Sequence, residues 1–223
     1  MTADRYRHMM TVIIEQRGCE SYVTRRAYDG NAAMKVTREQ AAENRARIVQ
    51  VASELFREKG FDGIGVADLM SAAGLTHGGF YGHFKSKDDL AAEACGLAAK
   101  SSAERWAALI EKSNDPLAAI VNQYLSEKHR DTPGQGCPFA ALGADAARET
   151  GAVRRAFTTG LTALTDILMA VLPRRSKAVQ RQQALAMMAQ MVGAMVLARA
   201  VDDAKLSRDI LRAAVAQLST QGA

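Results

Sequence analysis

The chain is poor in everything that interrupts a helix or crosslinks a fold. It holds four prolines, three cysteines and one tryptophan in 223 residues, with aromatics at 5%. So little proline beside abundant alanine excludes a turn-rich β protein and favours helix throughout. Cys19, Cys95 and Cys137 form an odd, widely spaced set, which excludes a disulfide framework and fits a reducing cytoplasm. There is no CxxC pair or His/Cys cluster, so neither a metal site nor a cofactor is expected. No run of about 18 apolar residues is present, so no membrane span is expected. The opening MTADRYRHMM is charged and lacks the apolar core of a secretory signal.

Charge of one sign is also scarce where it would be most telling. The net charge of +5 divides as +2 over residues 1–36, −1 over 37–90 and +4 over 91–223. A nucleic-acid reading must therefore rest on where individual charges sit, not on their total.

Residues 1–36 lack a sustained period and read as a poorly ordered extension. From Thr37 the pattern sharpens. Thr37-Arg38-Glu39-Gln40 is a capping-box signature, and Ile48, Val51, Ala52, Leu55 and Phe56 follow at helical steps until Gly60. Val66, Leu69, Met70 and Ala73 mark a second short helix, stopped by Gly74. Thr76 reads as the N-cap of a third, about eight residues long, and Ser86 as the start of a fourth. Further helices are expected over 87–112, 115–129, 138–149, 151–172, 176–202 and 206–219. The expected class is all-α, with segments at 37–92 and 93–223.

The stretch GLTHGGFYGHFKSKDDL, Gly74 to Leu90, carries the functional argument. Two short helices around Gly74-Leu75-Thr76 fit a helix-turn-helix. At 100° per residue Phe80 and Phe84 coincide and should face a core, while Gly78 and Gly82 lie opposite, flanked by Tyr81, Gly79 and His83. Glycine in a helix costs roughly 1 kcal/mol relative to alanine, so three here cost about 3 kcal/mol. A helix backbone that must lie close to a polyanion accounts for this, with Thr76, Tyr81, His83, Lys85 and Lys87 able to meet phosphate or base edges. Tight helix–helix packing, or an irregular loop, accounts for it as well.

Residues 38–90 resemble the DNA-binding domain of the TetR/AcrR family of bacterial transcriptional regulators. The resemblance rests on RIVQVASELFREKGFDGIGVADLMSAAGL and THGGFYGHFKSKDDL. It places Thr76, His77, Gly78, Gly79, Tyr81, His83 and Lys87 at DNA-contact positions, with Arg45 and Arg47 as further candidates. Two departures stand out. Gly65 occupies the position where the family caps its second helix with Ser or Thr, and Gly82 one where a larger side chain often reaches DNA. The resemblance implies a C-terminal helical domain that binds a small-molecule effector and dimerises. The whole would be a ligand-responsive repressor acting as a homodimer on palindromic, double-stranded operator DNA.

In the C-terminal part, Leu185, Met188, Val192, Met195 and Val196 form an apolar stripe on one helix, and Ile210, Leu211, Ala214, Val215 and Leu218 another; core and dimer seam are both open. Trp106, Tyr124, Phe139, Phe157 and Met169 either line a cavity or are plain core. In HRDTPGQGCPFAALGADAARE, Pro138 opens a helix with Cys137 at its cap, where the dipole should lower the thiol pKa. Cys137 is then a packed residue, a redox or electrophile sensor, or part of the effector pocket. A remote alternative makes Cys137, His129 and Asp131 a hydrolase site.

Overall fold

The computed structural model describes residues 37–149 and 151–220; the extension over 1–36 lies outside the described residues. The described residues are helical, with no strand among them. Helix α1 runs Arg38–Lys59 and α2 Val66–Ala72; a 3-10 helix at His77–Gly82 follows, then α3 Lys87–Lys112. After these come α4 Pro116–Tyr124, α5 Glu127–Asp131, a 3-10 turn at Pro133–Gln135 and α6 Pro138–Arg148. The last three are α7 Gly151–Val171, α8 Lys177–Ala200 and α9 Ala204–Thr220.

Local chemistry sets the boundaries. Gly60 and Gly74 stop α1 and α2 in the left-handed region, at φ 77° and 69°, where a side chain would be strained. Serines and aspartates open the later helices. Ser86 Oγ accepts from Asp89 N at 3.1 Å, and Asp115 Oδ1 from Ala118 N at 3.0 Å.

Two expectations are corrected. The single helix expected over 115–129 is two. Ser126 donates to the Gln123 carbonyl at 2.8 Å and accepts from His129 N at 3.2 Å, so it closes one helix and caps the next. The recognition segment is not an eight-residue α-helix but a six-residue 3-10 helix, held by Gly79 N to Thr76 O at 3.1 Å and His83 N to Phe80 O at 2.9 Å. Thr76 precedes it, yet its side chain caps nothing there.

Buried side chains fall into two clusters. One gathers Ile48, Ala52, Phe56, Leu69, Met70, Phe80, Phe84 and Leu90. The other gathers Trp106, Tyr124, Cys137, Phe139, Leu164 and the methionines of α8. Helix α3 runs through both. So does α6: Cys137, Phe139 and Ala140 at its start belong to the second cluster, Leu142 and Ala146 to the first.

The stripe read on α8 splits in two. Met188 and Met195 turn inward with Met187 and Met191, whereas Leu185, Val196 and Leu197 are exposed. By length and composition alone α8 would cross a bilayer, but its inward row is core.

Candidate nucleic-acid interface and the core behind it

The 3-10 helix shows one side to solvent and pins the other. Phe80 and Phe84 are 1% and 3% exposed, with ring centroids 5.7 Å apart, and anchor it on α1 and α2. On the outer side a Cβ placed at Gly78 or Gly82 would meet nothing within 4 Å. Tyr81 is 71% exposed, and its ring stands edge-on to Phe80 at 5.2 Å. Thr76, His77 and Lys85 are exposed, while His83 and Lys87 are half-buried. Gly79 differs from the other two glycines: its Cβ would lie 3.6 Å from Met70 Cε, so it faces the body of the domain. Gly65 opens α2 with no side-chain cap.

Arg45 has a different set of partners from those expected. Its guanidinium makes a two-pronged ion pair with Glu93 of α3, Nη1 to Oε2 at 2.6 Å. It also lies 4.7 Å from the centroid of Phe84, a cation–π distance. Arg45 thus braces the ring that anchors the 3-10 helix. Arg47, by contrast, is exposed and donates to Asn44 Oδ1 at 2.5 Å.

Behind this surface the six residues named as cavity or core candidates fall in one packed core, with Phe157 and Met169 against the other four. Trp106, Tyr124, Cys137 and Phe139 are all buried in one cluster. The Trp106 and Tyr124 rings are 6.2 Å apart, and Phe139 meets Phe157 edge-on at 5.2 Å. Cys137 caps α6 in position only. At 3% exposure, burial pushes its thiol pKa up. Burial outweighs the Tyr124 hydroxyl, the Phe139 and Ala140 N–H groups and Arg105, all of which favour the thiolate. The lowered pKa expected from the helix dipole is therefore overturned by desolvation.

His129 is bound at both nitrogens. Its Nδ1–H donates to the Tyr124 carbonyl at 2.6 Å, and Nε2 accepts the backbone N–H of Cys137 at 2.9 Å. Neither nitrogen is left to take a proton from the thiol, so the pair lacks the geometry of a nucleophilic site. Asp131 is exposed and paired with Arg130 at 2.7 Å.

Sequence reading missed two arginines at this core. Arg57 of α1 is 8% exposed and donates through Nε to the Gly134 carbonyl at 2.9 Å and through Nη2 to the same oxygen. Arg199 of α8 donates to the carbonyls of His129 at 2.6 Å and Arg130 at 3.0 Å. Both lie on the buried side of helices where a cation has no local cue in sequence; only main-chain carbonyls remote in the chain, of Gly134 for Arg57 and of α5 for Arg199, account for them.

With this geometry in place, the family model described as "Bacterial regulatory proteins, tetR family" matches residues 48–94. The HTH-type transcriptional regulator AcrR of Shigella flexneri is 40% identical over 57 residues, covering 26% of each chain. The HTH-type transcriptional repressor DhaR of Mycobacterium sp. is 26% identical over 93 residues, 42% of this chain and 47% of that one. The chain thus spans under half the length of these curated relatives. Among solved structures, a TetR transcriptional regulator from Chloroflexus aurantiacus superposes with TM-score 0.68 at 26% identity, covering 82% of this chain and 95% of that one. Reduced E. coli NemR superposes with TM-score 0.69 at 21% identity, covering 81% and 97%. A helix-turn-helix surface on an all-helical body is thus similar, in the sequence of residues 48–94 and in fold, to the TetR/AcrR family of bacterial transcriptional regulators.

Proposed function

We propose that the protein is a ligand-responsive repressor that binds a palindromic operator as a homodimer in the cytoplasm. The observation that carries this reading is the open strip at Gly78 and Gly82 beside the exposed Tyr81, fixed from behind by Phe80 and Phe84. Such a surface lets backbone approach a duplex within a side-chain length. Thr76, His77, Gly78, Tyr81, His83 and Lys87 make the contacts, while Arg45 and Gly79 act by positioning the segment. That the similar DhaR of Mycobacterium sp. is a transcriptional repressor supports that sign of regulation.

One short recognition segment makes few contacts, and two-fold pairing doubles them. The exposed row Leu185, Val196 and Leu197 of α8, with Leu206 of α9, supplies an apolar face for a second copy. An effector among Trp106, Tyr124 and Phe139 would act on the heads through α3 and α6, which belong to both cores. Burial of Cys137 supports packing rather than sensing by that thiol.

The test is selection of bound DNA from random oligonucleotides, followed by footprinting. An enriched site with two-fold symmetry supports the reading. Failure to enrich any sequence, or enrichment of a single asymmetric half-site bound by a monomer, overturns it.

A further inference from the structure

A groove of about 400 Å³ opens on the body between α9 and the junction of α4 with α5. Its floor is apolar: Leu125 and Leu211 are buried and Val215 is half-buried. Its sides are polar. Asn122 and Glu127 stand on one, Arg208 and Arg212, one helical turn apart, on the other. A cleft of this size, with an apolar base and a few convergent polar groups, is the form a small-molecule site takes.

The two sides are tied at a fixed width. Arg130 donates to Glu127 Oε2 at 3.2 Å and to Ser207 Oγ at 3.1 Å. Ser207 in turn donates to the Ala198 carbonyl at 2.6 Å. Helix α5 is thereby fastened to α9 beside the groove, and the carboxylate of Glu127 has a guanidinium of its own.

Arg208 and Arg212 have none of this. Among the described residues neither guanidinium, nor the Asn122 amide, takes part in a hydrogen bond or ion pair. Asp209 is near enough to act on both arginines at a distance, but its carboxylate pairs with Lys205 at 2.6 Å. Nor is this the apolar face offered to a second copy. At roughly 100° per residue, Arg208 and Arg212 lie about 200° and 240° round α9 from Leu206.

We propose that this groove binds an amphipathic organic carboxylate, its head group between Arg208 and Arg212 and its hydrocarbon body over Leu125, Leu211 and Val215. Charge complementarity selects the head: side chains four apart share one face of a helix, and guanidiniums match carboxylate oxygens with charge-assisted hydrogen bonds. The floor selects the body. A small inorganic anion would leave that floor in water, and a neutral lipid would leave both guanidiniums unmatched. Trp106, Tyr124 and Phe139 do not line the groove, so the site is separate from the aromatic core and does not depend on the repressor reading.

The test is isothermal titration calorimetry of the full chain with octanoate, set against octanol and acetate at equal ionic strength. Octanoate should give a saturable heat. Octanol and acetate, each lacking half of the match, should bind at least roughly tenfold more weakly. Arg208→Gln combined with Arg212→Gln removes the charge and should weaken octanoate binding about tenfold. Ala216→Phe, at an exposed lining position, keeps both guanidiniums but fills the groove, and should abolish binding. Both proteins should melt and sediment as wild type does. Octanol binding as tightly as octanoate, full affinity in either variant, or no saturable heat with octanoate each overturn the proposal. A change of association state in either variant would show that a second copy covers the groove, and overturns it as well.

Discussion

Nε2 of His129 accepts the backbone N–H of Cys137 at 2.9 Å, and this bond exists only while the imidazole is neutral. Burial, with Arg199, Arg105 and Arg57 nearby, lowers the His129 pKa from 6.5 to about 4, against the opposing bond to Tyr124. The unfolded chain therefore binds the proton first on acidification. His129 leaves stability intact above pH 6.5 and erodes it as the pH falls toward 4, by roughly 2 kcal/mol at pH 5. Urea unfolding at pH 7 and pH 5 measures this, and His129→Gln should flatten the difference. An equal pH dependence in the variant would show that other groups carry it.

Gly136 lies against that same ring. A Cβ there would sit 2.7 Å from Nε2 of His129 and 3.2 Å from Nη2 of Arg199, both held by hydrogen bonds. Gly136→Ala should therefore cost about 1–3 kcal/mol in denaturant titration. A variant as stable as wild type would mean that the turn adjusts freely.

Gly78→Ala separates fold from function. The added methyl meets nothing in the protein and removes backbone freedom from the unfolded chain, so stability should rise by about 0.4–1 kcal/mol. DNA affinity should fall in the same protein, because the strip is no longer bare. Gel shift with selected DNA decides; undiminished binding would remove the close-approach argument.

Tyr81→Phe keeps the ring on Phe80 and loses only the hydroxyl. It should weaken operator binding about tenfold at unchanged melting temperature. Lys87→Ala should weaken binding to all sequences alike and lower the salt dependence by about one phosphate contact.

Leu197 is 57% exposed on α8, within the apolar row left uncovered by the chain's own core. Leu197→Glu should convert a dimer to a monomer in analytical ultracentrifugation and reduce operator affinity with it. A dimer that persists would place the pairing surface elsewhere.

Much of this was legible before any coordinates, for identifiable reasons. Helix boundaries at Gly60, Gly74, Ser86, Pro116 and Pro138 follow from backbone conformation and capping, which are local. Phe80 and Phe84 read as anchors because their spacing of four survives the change from α to 3-10 geometry. What local reasoning misjudged came from tertiary context. The thiol of Cys137 carries a dipole signal in sequence, but the burial that reverses it comes from α3, α4 and α8. Arg45 reads as a free surface cation until α3 brings Glu93 to it across 48 positions. Arg57 and Arg199 give no sequence signal, because their partners are main-chain oxygens far along the chain.

The hold of Arg57 on Gly134 has a practical corollary for building hybrid regulators. The helix-turn-helix head is not a cassette that ends where its own helices end. Cut at residue 92 and grafted onto a foreign body, it would carry a guanidinium whose receptor had been left behind. A working chimera would need a junction that transplants residues 133–137 with the head, or a donor body that presents a carbonyl at the same place.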